Sequence, residues 1–287
     1  MHDTAAAFGA AFFRSYTDAI ERAHILEIGA ADLNGALRGS APLGAQYTGI
    51  DLAPGPGVDR VLDDPYRYPF NTASFDAVVS SSCFEHDPMF WRSFTEMCRV
   101  VRPGGFIYLN APSNGPVHRV PTDNWRFYPD AGVALATWAR HTGQDIRLVE
   151  SFVGRRVSDL WNDCVMVFGK GETRPPQRLL AELFPRSFNI RIGEAGAISN
   201  ECGPTEDMTL QVAPAEPVAT SPAPNGGDAR AVSESAAAAA AQIDALRAAL
   251  AERDATLARV GQILADRQAE IAALNAALTR TTAVAAG

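Results

Sequence analysis

His24-Ile25-Leu26-Glu27-Ile28-Gly29 is a short apolar run closed by an acid and then a glycine. A second apolar run, Tyr47-Thr48-Gly49-Ile50-Asp51, also ends on an acid, about 20 residues after the glycine. Together they read as the first two strands of a nucleoside-binding βαβ unit. With no Cβ at Gly29, the backbone of the first turn can approach a ligand closely. The carboxylate of Asp51, at the end of the second strand, can accept from both hydroxyls of a ribose.

Further strand-like runs follow at 58–62, 75–79, 105–110, 145–152 and 163–168, making seven, with helical patterns at 8–20, 90–101 and 130–141. This alternation predicts an α/β fold: a Rossmann-like, doubly wound, mostly parallel seven-stranded sheet with helices on both faces. Ligands of such sheets lie outside the carboxyl ends of the strands. Gly29, Asp51, the Asp63-Asp64 pair, Ser80 to Asp87 and the segment from Ala111 onward all fall there.

Composition excludes several alternatives. With 25 basic and 33 acidic residues the chain has no concentrated basic face, so no nucleic-acid partner is expected. No apolar run nears the ~20 residues of a membrane span, and Met1 to Ala10 lacks the basic-then-apolar order of an export signal. A cytoplasmic protein is expected. Cys83, Cys98, Cys164 and Cys202 show no CxxC or Cys/His ligand spacing, so the expectation is reduced thiols and no metal site. Lys170 is the single lysine, which leaves Schiff-base chemistry almost nowhere to reside.

Residues 1–170 are mixed and strand-rich and form the expected catalytic domain. Residues 171–212 are an accessory segment with a short helix expected at 177–184, 213–235 a Pro/Ala/Gly-rich linker, and 236–280 a helix of Ala, Leu and charge. In that helix Ile243, Leu246, Leu250, Leu257, Val260, Leu264, Ile271, Leu274 and Leu278 recur at alternating spacings of three and four, interrupted at two d positions by Arg253 and Arg267. The seam predicts a C-terminal α-helical coiled coil that self-associates through residues 243–278.

The loop from Gly29 to Gly35, Gly-Ala-Ala-Asp-Leu-Asn-Gly, fits neither common glycine fingerprint. A dinucleotide loop wants glycine at Ala31 and Asn34, and a methyl-donor loop wants it at Ala31 and Leu33. Glu27 tips the choice. An acid there suits the cationic amine of a methionine-like group and disfavours a pyrophosphate, so an NAD-dependent enzyme is the weaker reading.

Over about residues 20–170 the chain resembles the class I S-adenosylmethionine (SAM)-dependent methyltransferases, of the type 11-like kind. The resemblance rests on the acid–glycine turn, on Pro69-Phe70 through Ser74-Phe75-Asp76, on Phe84-Glu85-His86, and on Arg99-Val100-Val101-Arg102-Pro103-Gly104-Gly105. More narrowly, Asp32-Leu33-Asn34-Gly35, Phe84 to Asp87, Ala111-Pro112-Ser113-Asn114-Gly115 and the stretch from His118 to Pro129 resemble a bacterial subgroup associated with glycan and cell-surface polysaccharide genes. It implies SAM as cofactor, with Glu27, Gly29 and Ala31 at its methionine end, Asp51 and Leu52 at the ribose, Asp63 or Asp64 near the adenine amine, and Ser80 and Ser81, continuing to Ser82, on the pocket floor.

Methyl transfer from a sulfonium is an in-line displacement that requires alignment of the nucleophile and, for a hydroxyl, a base. His86, and His118 with Asp123, are the candidate catalytic residues; His86 serves equally as a shaper of its turn. Arg119, Trp125, Arg126 and Tyr128 offer aromatic faces and guanidinium forks to a sugar or glycan acceptor, or to a small molecule, although the aromatics of this loop could instead close the core. The rival from another class is a noncatalytic methyltransferase-like scaffold multimerised by its coiled coil.

Overall fold

A computed structural model of the chain describes residues 3–33, 35–119, 122–157, 160–174 and 176–202. The linker and the heptad segment 243–278 lie outside the described residues. The strands are β1 (His24–Ile28), β2 (Gln46–Asp51), β3 (Arg60–Val61), β4 (Phe75–Ser81), β5 (Val101–Pro112), β6 (Ile146–Gly154), β7 (Asp163–Lys170) and β8 (Phe188–Ile192). They form one sheet in the order β3-β2-β1-β4-β5-β7-β6-β8. The pairs β1–β2, β1–β4, β2–β3 and β4–β5 are parallel. The chain order reverses between β1 and β4, the crevice where open α/β sheets bind ligands.

Two features correct the expected sheet. It has eight strands among the described residues, not seven. The eighth, β8, comes from the segment after residue 170 and runs antiparallel along β6, forming the edge of the sheet. Its half-exposed sequence, Phe-Asn-Ile-Arg-Ile, lacks the apolar run of an interior strand. In addition β7 is antiparallel to both β5 and β6. Only residues 155–162 join β6 to β7, too short a link for a crossover helix, so the chain turns straight back.

Strand alternation divides the interior in two. Leu26, Ile28, Val78, Ile107 and Leu109 pack under α2 (Phe90–Val100) and α3 (Asp130–His141). Ile25, Ala77, Val79, Phe106 and Tyr108 pack on the other face under α1 (Asp3–Phe12). The helix expected over 8–20 starts at Asp3 and widens into a π-helical turn, Phe13–Thr17. The wider turn lets the adjacent rings of Phe12 and Phe13 and that of Tyr16 all reach the core, with Phe12 4.9 Å from Tyr108 and stacked 5.2 Å from Tyr16.

The short helix expected at 177–184 forms as α4 (Leu180–Leu183). Glu150 of β6 is fully buried beneath it and accepts from the backbone N–H of Leu180 and of Ala181, both at 2.9 Å, and from Tyr16 Oη at 2.5 Å. That carboxylate ties the accessory segment to both β6 and the turn after α1.

Candidate active site

The turn after β1 is fixed by β2. The carbonyl of Ile50 accepts from Gly29 N–H (3.0 Å) and Ala30 N–H (3.1 Å). Asp51 then takes Ala31 N–H on Oδ2 at 3.0 Å and Leu52 N–H on Oδ1 at 2.6 Å. Gly29 is required for two reasons: its φ is +72°, and a Cβ there would lie 2.6 Å from Cβ and Sγ of Cys83. The turns after β1, β2 and β4 therefore meet at one point. Leu52 is exposed beside Asp51, and Asp63 and Asp64 are exposed beyond β3. Asp64 Oδ1 accepts from Tyr66 N–H at 2.8 Å, an Asx turn.

Glu27 is buried under this turn, with its carboxylate directed toward the α1 face. It accepts from Tyr47 Oη at 2.8 Å and from the backbone of Leu37. Burial raises its pKa, against which these hydrogen bonds and the Arg38 guanidinium act. Its charge reaches the Gly29 turn as a field and not through a side-chain contact.

At the end of β4, Ser80 Oγ donates to Ile28 O at 3.0 Å and so clamps β4 to β1. Ser81 Oγ and Ser82 Oγ are buried with no partner among the described residues. Glu85 follows, 1% exposed, with Oε1 3.6 Å from His86 Nε2 and Oε2 unpartnered. Burial is the largest influence on its carboxyl and pushes the pKa up to about 8. His86 donates from Nδ1 to the carbonyl of Thr122, which leaves Nε2 facing Glu85. Its own carbonyl accepts from Thr122 Oγ1 and Asn124 Nδ2.

The segment after β5 folds onto this group. The His118 and His86 rings meet edge to face, centroids 4.9 Å apart, and Trp161 packs against His118 at the same distance. His118 Nδ1 lies 3.3 Å from Asp123 Oδ2. Burial lowers the His118 pKa, partly offset by Asp123. Asp123 is held well below the usual carboxylate range by the Arg126 fork, whose two nitrogens donate at 2.5 and 2.7 Å. Trp125 Nε1 donates to Asp87 O at 2.8 Å. Arg126 and the Trp125 Nε1 are thus engaged within the protein, while the Trp125 side chain is still partly exposed and Arg119 and Tyr128 are exposed.

The structure brings Glu27, Gly29, Ala31, Asp51, Ser80 and Ser81 to one end of the crevice and His86, His118 and Asp123 to the loops after β4 and β5. In the sequence Glu85 stands out only as the middle residue of Phe84-Glu85-His86. Asn124 and Trp125 both donate backbone N–H groups to its carbonyl, which holds the later loop against this turn. Trp161 and Asn162 have no local sequence signal. They are placed by Asn162 N–H donating to Asn114 Oδ1 at 2.7 Å, and Gly115 is needed because a Cβ there would meet the Trp161 ring at 2.3 Å. Glu85, His86 and His118 each present one metal-capable atom within 4.8 Å of the others. That donor set of two imidazoles and one carboxylate is compatible with a divalent transition ion.

Residues 26–109 match the family model described as a methyltransferase domain. This part of the chain is a methyltransferase domain. Domains of the class that the sequence resembles take their methyl group from SAM. The matched span runs from within β1 to within β5 and so contains the Gly29 turn, Asp51 and the Glu85-His86 pair. The chain is 38% identical over 77 residues to the phthiotriol/phenolphthiotriol dimycocerosates methyltransferase of Mycobacterium leprae, covering 22% of this chain and 27% of that protein. It is 29% identical over 196 residues to a fatty-acid O-methyltransferase of Mycolicibacterium smegmatis, covering 60% of this chain and 67% of that protein. The methyltransferase domain thus aligns with about a quarter to a third of the length of the phthiotriol enzymes. A solved 1,6-didemethyltoxoflavin-N1-methyltransferase of Burkholderia thailandensis, holding its substrate and S-adenosylhomocysteine, superposes with a TM-score of 0.45 at 20% identity, covering 59% of this chain and 78% of that one.

Proposed function

We propose that the protein is a SAM-dependent methyltransferase acting on an acceptor oxygen. The observation that carries the reading is the meeting of the Gly29 turn, Asp51 and the Ser81–Ser82 hydroxyls at the β1–β4 crevice, with a histidine pair on the adjoining loops. These residues fit the cofactor: Asp51 retains lone pairs for ribose hydroxyls, the serine hydroxyls are buried and unpartnered, and Glu27 supplies negative potential where an ammonium would lie. When bound, SAM supplies the electrophilic methyl group.

The chain's own residues position the acceptor and handle its proton. His118, its pKa lowered by burial, is neutral at pH 7 and can accept a proton from a hydroxyl, while Asp123 stays ionised on Arg126 and anchors His118 by accepting its backbone N–H at 2.7 Å. His86, fixed through Nδ1, narrows the approach from the opposite side. Arg119 and Tyr128 are free to contact a sugar or glycan acceptor, the first class to test, with small molecules next. Residues 243–278 are proposed to self-associate through their heptad seam.

The test is isothermal titration of the full chain with S-adenosylhomocysteine. Micromolar binding that is lost in Asp51→Ala supports the reading. No binding by folded protein rejects it in favour of the scaffold.

A further inference from the structure

More than half of the exposed large apolar side chains among the described residues stand at the carboxyl edge of the sheet. Leu33 follows β1, Leu52 follows β2, Val117 and Tyr128 follow β5, and Val157 and Leu160 lie in the β6–β7 connection. Isolated exposed apolar groups need no explanation, but their recurrence along one edge of the sheet does, and one of them, Val157, lines a cavity. The cavity, of about 400 Å³, opens between the start of α1 and the α4–β8 connection, walled by Phe8, Val157, Leu183 and Phe184. It is within the ~300–1,000 Å³ typical of small-ligand sites.

The cavity wall is tied to the end of β5 through the sheet. Thr4, on its wall, donates from Oγ1 to Asp163 Oδ2 at 2.5 Å. Asp163 pairs in register with Pro112, at the head of the loop that carries His118. Two cations line the cavity without an acidic partner among the described residues: Arg186, and Arg155, whose guanidinium lies 5.0 Å over the Phe188 ring. Ser187 Oγ, in a residue 1% exposed, also lines it and has no partner among the described residues.

An apolar chamber bordered by two uncompensated arginines and one buried hydroxyl is complementary to a hydrocarbon chain bearing an anionic group. We infer that the cavity binds the acyl chain of an anionic amphiphile, with Arg155 and Arg186 on the acid group. This inference does not rest on the methyltransferase reading above.

The test is calorimetric titration of the full chain with octanoate, decanoate and dodecanoate, each with and without S-adenosylhomocysteine. The expected result is one site that tightens about fourfold per added methylene. Arg155→Glu with Arg186→Glu should weaken it at least tenfold while S-adenosylhomocysteine affinity stays unchanged, since both arginines are exposed and remote from the Gly29 turn. Affinity independent of chain length, or unchanged by the charge reversals, overturns the proposal. So does capture by anionic phospholipid vesicles with no binding of the free acids, which would make the apolar edge a lipid-surface contact. Dodecanoate binding without S-adenosylhomocysteine binding would retain the cavity and reject the methyltransferase reading. The reverse pattern would reject only the cavity.

Discussion

Glu85→Gln should change the pH dependence of folding more than its stability at any one acidic pH. The carboxyl is 1% exposed, one oxygen has no partner among the described residues, and the nearest cationic candidate is His86 Nε2 at 3.6 Å. Burial raises its pKa from 4.5 to about 8. At ~1.36 kcal/mol per pH unit, the ionised form is disfavoured in the folded chain by about 5 kcal/mol. The sign follows from proton linkage. Between pH 4.5 and 8 the unfolded chain releases this proton and the folded chain keeps it, so the contribution to stability is full below 4.5 and declines by about 1.4 kcal/mol per pH unit up to 8. Glutamine does not titrate and removes that slope. The assay is urea unfolding of both proteins from pH 4.5 to 9, read as the difference between the two stability profiles. The variant should gain about 5 kcal/mol relative to the parent across that window. Parallel profiles would refute the reasoning, because Glu85 would then be ionised in the folded state at neutral pH and the histidine pair would stand in a hydrated environment.

Gly29→Ala should destabilise the chain by about 2–4 kcal/mol in urea, combining left-handed backbone strain with overpacking against Cys83, and should abolish S-adenosylhomocysteine binding. Adding Cys83→Gly should recover only the steric part; full recovery would show that φ at this position carries no cost. Glu150→Ala leaves Leu180 N–H, Ala181 N–H and Tyr16 Oη without their acceptor and should cost about 3–5 kcal/mol, with loss of amide protection in α4 by hydrogen exchange. Single-turnover methyl transfer should decline on its acid limb below pH 6.5, since burial lowers the His118 pKa, and Asp123→Asn should move that limb further down by removing the carboxylate that raises it. A limb above pH 6.5, or one shifted upward in Asp123→Asn, would exclude His118 as the base.

Fold and site differ in how far they could be read from the residues, and the difference is one of range. Strands β1, β4 and the second half of β5 carry short apolar runs that are buried on both faces, and α3 begins and ends where its apolar period does, at Asp130 and His141. Such signals are local. Strand β8 was missed because it acquires its identity only by pairing with β6, and the antiparallel course of β7 follows from a short link and not from its composition. In the site, the acid–glycine turn and Asp51 lie at strand ends and were legible for the same reason as the strands. Glu85 was not, because the loop held against its turn lies nearly forty residues later. That loop also changes the meaning of its own side chains. Trp125 and Arg126 invite reading as substrate contacts, and the structure adds a second engagement for each, Trp125 Nε1 on the carbonyl of Asp87 and the Arg126 fork on Asp123 beside His118. Removing either should therefore disturb the setting of the histidine pair as well as any affinity for an acceptor. The exposed apolar side chains of the same edge carried no sequence pattern, because such an edge exists only once the strand ends have been brought together.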